Sequence, residues 1–266
     1  MARADCRECG GTGWKTVEAA ASGGKGVTRE AVLCECTREG REDSQFETAR
    51  IPKHYRHCDF ESFEADLPHD DPHAEAWNRS LKKAKVIVEG FAREYPAGRE
   101  HGLLLMGPCG VGKTHLAVAA LAELMKRGHA VLYYDYRELL KTIQSSYNPV
   151  SQTSEMDVLE PVVGVEVLLL DDLGSAKPSA WALDTVGYIL NSRYNENRVT
   201  LLTTNYLDRD PAAPVRMPSG KALERVEDGL ADRIGQRIRS RLYEMCRKIE
   251  ISAPDYRREI RQAGRA

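Results

Sequence analysis

The run Leu103-Leu104-Leu105-Met106-Gly107-Pro108-Cys109-Gly110-Val111-Gly112-Lys113-Thr114 constrains this chain more than any other stretch. Four apolar residues lead into the pattern GxxxxGK[ST], and a helical run from His115 to Arg127 follows. Strand, glycine loop and helix in that order make a cradle for phosphate groups. The glycines let backbone N–H groups turn inward, and the helix N-terminus adds its dipole. Lys113 is placed to reach the β- and γ-phosphates of a nucleotide, and the Thr114 hydroxyl to ligate Mg²⁺. The plainer alternative is a glycine turn that only joins a strand to a helix.

A second apolar run, Val167-Leu168-Leu169-Leu170, ends in Asp171-Asp172. It is expected beside the first strand, with its end facing the γ-phosphate and the metal. There Asp171 would hold Mg²⁺ through water and Asp172 would polarise the attacking water. An acidic residue after a strand also caps helices, so either carboxylate could serve that simpler purpose. A third run, Val199-Thr200-Leu201-Leu202-Thr203, ends in Thr204-Asn205. Asn205 could touch both the γ-phosphate and the lytic water, or could merely cap a turn.

With Ala130–Tyr134 and Lys248–Ile251 there are five short runs, the first four apolar on both faces. That pattern predicts an α/β fold: a five-stranded parallel sheet with helices on each side. Three zones are expected, residues 1–48, a helical connector over 49–100, and a nucleotide-binding domain over 101–266. In the connector, Trp77, Leu81, Ala84, Val88, Phe91 and Tyr95 recur at helical spacing, and Tyr95-Pro96-Ala97-Gly98 ends the helix. Between Arg137 and Val165 two helices are expected, separated at Tyr147-Asn148-Pro149. Lys141 and Tyr147 in this insertion offer a phosphate partner and a stacking surface for DNA, or simply pack on a neighbouring helix.

Four of the seven cysteines crowd the first zone. Cys6 and Cys9 form a CxxC knuckle rich in glycine, and Cys34 and Cys36 follow as a CxC pair. Four thiolates suit a closed, structural Zn²⁺ site, whose binding would supply folding energy that this segment lacks. Disulfide pairing or unrelated free thiols are the alternatives. Net charge is −2, so any nucleic acid must be met by local Arg and Lys clusters. The opening residues lack the apolar run of a signal peptide, and no stretch is long and apolar enough to span a bilayer, so a cytoplasmic location is expected.

The order of these elements, followed by Arg237-Ile238-Arg239-Ser240-Arg241-Leu242, resembles an AAA+ ATPase of the DnaC/IstB group: bacterial helicase loaders and transposition helper ATPases. The likeness runs over roughly residues 50–252, including the entry stretch Ile51-Pro52-Lys53-His54-Tyr55-Arg56. It implies ATP hydrolysis, with Asn205 as the first sensor. It also implies an arginine finger delivered to the neighbouring subunit of a ring or filament. Arg241 is the first candidate and Arg237, one turn earlier, the second; a solvated or DNA-facing basic helix is the alternative. Some fifteen residues follow Ile251, among them Arg257, Arg258, Arg261 and Arg265, so no helical lid with its second sensor arginine is expected. The resemblance further implies that the N-terminal region docks on a replicative helicase, with single-stranded DNA as the nucleic acid. A transposition helper would bind duplex DNA and a transposase instead. A solitary P-loop kinase and a binding module with a dead site are the more distant readings.

Overall fold

The computed structural model of the chain describes residues 5–20, 27–67, 71–98, 102–148, 150, 152–209 and 228–259. His101, Pro149, Arg261 and Arg265 fall outside them. Two compact units emerge, Met1–Pro52 and Lys53–Ala266.

In the first unit, strands β1 (Trp14–Ala20) and β2 (Val27–Leu33) pair antiparallel, from Trp14 opposite Leu33 to Ala20 opposite Val27. Helix α1 (Glu35–Thr48) follows directly. The hairpin was not anticipated: with Lys15, Glu18, Arg29 and Glu30 among its residues, it carries too little apolar alternation to announce strands.

In the second unit a 3-10 turn, Lys53–Tyr55, precedes α2 (Ala74–Glu94), which buries Leu81, Ala84, Val88 and Phe91 on one face and packs on α3 (Lys113–Lys126). Of the expected connector over 49–100, residues 49–52 fall in the first unit and α2 in this one. Five parallel strands follow: β3 (Gly102–Met106), β4 (Val131–Asp135), β5 (Val167–Asp171), β6 (Val199–Thr204) and β7 (Arg247–Glu250). Their order is β4-β5-β6-β3-β7. Alternate residues Leu104, Met106, Leu132, Leu168, Leu170 and Leu202 join one core cluster. They share it with α4 (Tyr136–Ser146), α5 (Glu155–Gly164), α6 (Ala180–Asn195) and α7 (Leu230–Met245). Because side chains alternate along a strand, the other face is left to α3, which packs on β3, β4, β5 and β6. The result is an α/β sandwich around a P-loop core.

The strand order corrects one expectation. β5 does not lie beside β3; β6 intervenes, pairing with both. The consequence is that Asn205, at the end of β6, stands between the phosphate loop and the two aspartates. The two helices of the insertion are present as expected, α4 capped by Asp135 at 2.8 Å from Glu138 N and α5 by a Ser154–Asp157 capping box. After β7 a single short helix, α8 (Tyr256–Glu259), is described, and no lid. The fully buried Arg193 of α6 ties the ends together. It donates to the carbonyls of Val162 and Val165 at 2.9 and 2.8 Å and to Thr200 Oγ1 at 2.9 Å, capping α5 beside the starts of β5 and β6.

Candidate nucleotide site and thiolate cluster

The β3–α3 loop turns on residues with positive φ: Gly107, Gly110 and Gly112. All three positions admit nothing larger for a further reason, and at Gly107 a Cβ would lie 2.2 Å from the backbone oxygen of Ile251. A Cβ on Gly110 would lie 1.8 Å from the Asp255 carboxylate, and one on Gly112 would lie 2.6 Å from the Phe63 ring. Beside the loop runs a cleft of about 680 Å³, within the range of nucleotide-sized pockets. Cys109, Gly110, Val111, Gly112, Lys113 and Thr114 line it, with Asp171, Asp172 and Asn205 at the strand ends. The rings of His54, Tyr55, His57 and Phe63 line it as well.

Lys113 is buried, and burial pulls its pKa below the ordinary lysine value. Its Nζ donates to the carbonyls of Gly107 and Pro108 at 2.9 and 2.7 Å and to Asn205 Oδ1 at 2.8 Å. Asn205 in turn donates through Nδ2 to Asp172 Oδ1 at 2.6 Å. One amide thus joins the phosphate-loop lysine to the second aspartate. Asp172 has φ 56°, a left-handed conformation unusual for a residue with a side chain. Its N–H donates to Thr203 Oγ1 at 2.9 Å. Burial and the nearby Asp135 charge push its carboxyl above the ordinary value, against the pull of Lys113.

Asp171 is buried and takes three hydroxyls. Thr114 donates to it at 2.9 Å, Tyr133 at 3.0 Å, and Thr203 also. Burial raises its pKa, and these donors work against that rise. A carboxylate and a hydroxyl side by side at the mouth of a phosphate loop are hard oxygen donors of the kind Mg²⁺ takes. Thr203 and Tyr133 were missed in the sequence, where each reads as an ordinary strand residue. Tyr133 is positioned to fix the Asp171 carboxylate. We therefore expect Tyr133→Phe to weaken Mg²⁺ affinity about 10-fold. Titrating Mg²⁺ against binding of a fluorescent ATP analogue checks this, with metal-free nucleotide binding unchanged.

The structure also revises the cation count around the cleft. Arg257, on α8, lines it next to Tyr55. A second cation is therefore available within the chain without a lid. Tyr256 anchors this segment, its N–H donating to Gly110 O at 3.2 Å and its hydroxyl to Glu64 at 2.9 Å. On α7, Arg241 is engaged within its own chain. Its guanidinium lies 4.3 Å from the centre of the Tyr194 ring, with Nε 3.2 Å from Asn191 Oδ1 and a contact of 3.4 Å to Glu244. Arg237 is exposed and makes no hydrogen bond or ion pair among the described residues.

In the other unit, the Sγ atoms of Cys6, Cys9, Cys34 and Cys36 all lie within 4.8 Å of one another, three of the residues buried. The Cys6–Cys34 and Cys9–Cys36 separations are 3.7 and 3.5 Å. A tetrahedron of thiolates at 2.3 Å from Zn²⁺ has edges of about 3.8 Å, so the four fit that ion. The cysteines are free, not paired. Gly13 N–H donates to Cys9 Sγ at 3.3 Å, the backbone support a thiolate knuckle needs.

The family described as IstB-like ATP binding protein matches residues 74–210, just over half of the chain. The chain belongs to this family. Among curated proteins, the replicative helicase loader DnaC of Escherichia coli strain K12 is 26% identical over 181 residues, 68% of this chain and 69% of that protein. Among solved structures, the DnaC helicase loader superposes with a TM-score of 0.52 at 30% identity, covering 76% of this chain and all of that one. The structure of DnaI has a TM-score of 0.52 at 27% identity, covering 77% and 93%. As a member of the IstB-like family, the chain is an AAA+ ATPase, and the network around Lys113, Asp172 and Asn205 is the place in it suited to ATP. No helix among the described residues is long and apolar enough to cross a membrane.

Proposed function

We propose that this ATPase is a replicative helicase loader, an ATP-driven switch that grips single-stranded DNA and a hexameric helicase. The observation that carries the reading is the pairing of two units. One is an ATPase similar to the DnaC loader over that structure's full length; the other is a separate four-thiolate unit. A closed thiolate site has no open position for chemistry, so the first unit serves docking. In the second, Lys113 and the loop amides hold the triphosphate, Thr114 and Asp171 hold Mg²⁺, and Asp172 with Asn205 places the attacking water. Bound Mg²⁺ would neutralise charge on the β- and γ-phosphates. An arginine of α7 completes the site of a neighbouring subunit. Arg237 suits that role better than Arg241, because it is exposed and unengaged while Arg241 is stacked on Tyr194.

A second reading, compatible with the match to the IstB-like ATP binding protein family, is a transposition helper ATPase that binds duplex DNA and a transposase. Equilibrium binding of the ATP-bound protein to single-stranded and duplex oligonucleotides separates the two. A loader prefers the single strand, and preference for duplex supports the helper. Lys141 and Tyr147, both exposed on the α4 side of the insertion, are the proposed DNA contacts. The Tyr147 hydroxyl is held by Glu155 at 2.7 Å and Trp181 at 3.1 Å, which steadies a half-exposed ring for stacking. Their double alanine variant should bind single strands more weakly, with a shallower salt dependence.

Metal analysis tests the docking unit. Protein purified without added zinc should carry one Zn²⁺ per chain. Replacing Cys6, Cys9, Cys34 and Cys36 by serine should remove it and abolish helicase capture while ATP binding persists. Unchanged zinc content in that variant rules out the site.

A further inference from the structure

We infer that Arg233 is a positioning residue that couples the ATP site of its own chain to the arginine face of α7, with Gly235 as the swivel. The inference rests on the proposal that an α7 arginine completes a neighbour's site.

The guanidinium of Arg233 sits where both sensing strand ends can be felt. Its Nε donates to Gly174 O at 2.8 Å, and Nη2 donates to Ala176 O at 2.9 Å and Ser175 O at 3.4 Å. Those carbonyls belong to the loop that leaves Asp172, and Ser175 N–H donates back to Asp172 O at 3.1 Å. The same guanidinium lies 4.8 Å from the centre of the Tyr206 ring, and Tyr206 follows Asn205 directly. Asp228 holds the remaining edge at 3.2 Å, and the side chain is only 13% exposed. Packing here is tight: a Cβ on Gly174 would meet Arg233 Cβ at 3.0 Å and the Tyr206 ring at 3.3 Å. Any movement of Asp172 or Asn205 toward a γ-phosphate therefore displaces groups that Arg233 touches. Arg137 also donates to Ser175 O, at 2.7 Å, and holds the loop to α4.

The other end of the coupling is the break in α7. Gly235 has φ 78° and ψ 155°, outside helical geometry, so the segment bearing Arg233 and the segment bearing Arg237 and Arg241 are separate rods. Space does not demand the glycine, since a Cβ there would meet only Leu183, at 4.0 Å. The backbone angle demands it. Arg237, two residues past the break, points where the swivel sends it. Filling a chain's own site would thus re-aim the finger that it offers to its neighbour.

Mixing experiments test this on the full chain. The acceptor is Arg237→Ala/Arg241→Ala, which keeps its ATP site but offers neither candidate finger. Its hydrolysis is measured after adding an excess of one donor. Lys113→Ala is a donor with an empty site, and Asp172→Asn a donor that holds ATP without turning it over. We expect the ATP-filled donor to rescue the acceptor several-fold better than the empty one. Adding Arg233→Lys to the filled donor should return rescue to the level of the empty one, because lysine keeps the charge but not the forked bonds. Adding Gly235→Ala to the filled donor should do the same without touching the clamp. Nucleotide binding by each filled donor, followed by fluorescence, should stay unchanged. Equal rescue by filled and empty donors, or full rescue by both double variants, overturns the coupling alone. No rescue by any donor overturns the trans arginine and the coupling with it.

Discussion

Replacing Lys113 by alanine is expected to weaken ATP binding by about 100-fold or more, because it removes a buried charge from the phosphate cradle. The magnitude follows from its surroundings. The ammonium is held by three oxygens and is almost out of solvent, so its field on a phosphate is little screened. Asp172→Asn should behave differently. It is isosteric, can still pair with Asn205, and leaves Lys113, Thr114 and Asp171 in place. Binding should persist while turnover falls by about 10²- to 10⁴-fold, the scale of losing a positioned base. Fluorescent nucleotide binding beside phosphate release separates the two variants. Near-normal turnover in either one removes that residue from the site.

The second large effect concerns assembly. Specific ATPase activity should rise with protein concentration under the proposal that an arginine of α7 completes a neighbour's nucleotide site. Such an arginine can accelerate hydrolysis by about 10³-fold or more. Arg257 is a cation already within the chain's own cleft, so a dilute monomer should retain slow turnover rather than none. Arg237→Ala should bind ATP normally and stay slow at every concentration. Arg241→Ala should lose less, since its guanidinium is committed to Tyr194 and Asn191. Specific activity that is flat from nanomolar to micromolar protein, with Arg237→Ala at full rate, would return the solitary-kinase reading to consideration.

Much of this was legible in the chain itself. Four of the five strands were readable because buried parallel strands must be apolar on both faces, as Leu103–Met106 and Val167–Leu170 are. The phosphate loop was readable because its glycines answer to local backbone geometry. What escaped reading depends on partners far apart in sequence. The placement of β6 between β3 and β5 is a matter of long-range pairing, and no residue in Val199–Thr204 announces it. Tyr133 and Thr203 acquire meaning only when their strands bring both hydroxyls onto Asp171. Arg257 looked like one of several basic residues near the end of the chain until Tyr256 was seen anchoring α8 to Gly110. The break at Gly235 was hidden inside an otherwise amphipathic helical pattern, because a single glycine is tolerated there in most helices.

The central claim, that ATP drives this protein to place a helicase on single-stranded DNA, is tested most directly on a closed single-stranded circle. The purified chain is mixed with the host's hexameric replicative helicase and ATP on circular DNA carrying an annealed oligonucleotide. Strand displacement then reports loading. The account predicts displacement that needs this protein and is lost with Lys113→Ala. It also predicts loss with the four-cysteine variant, which can no longer capture the helicase. Displacement that is equal with the wild-type chain and Lys113→Ala, or helicase that neither binds nor is loaded while duplex DNA and a transposase are bound, would contradict it.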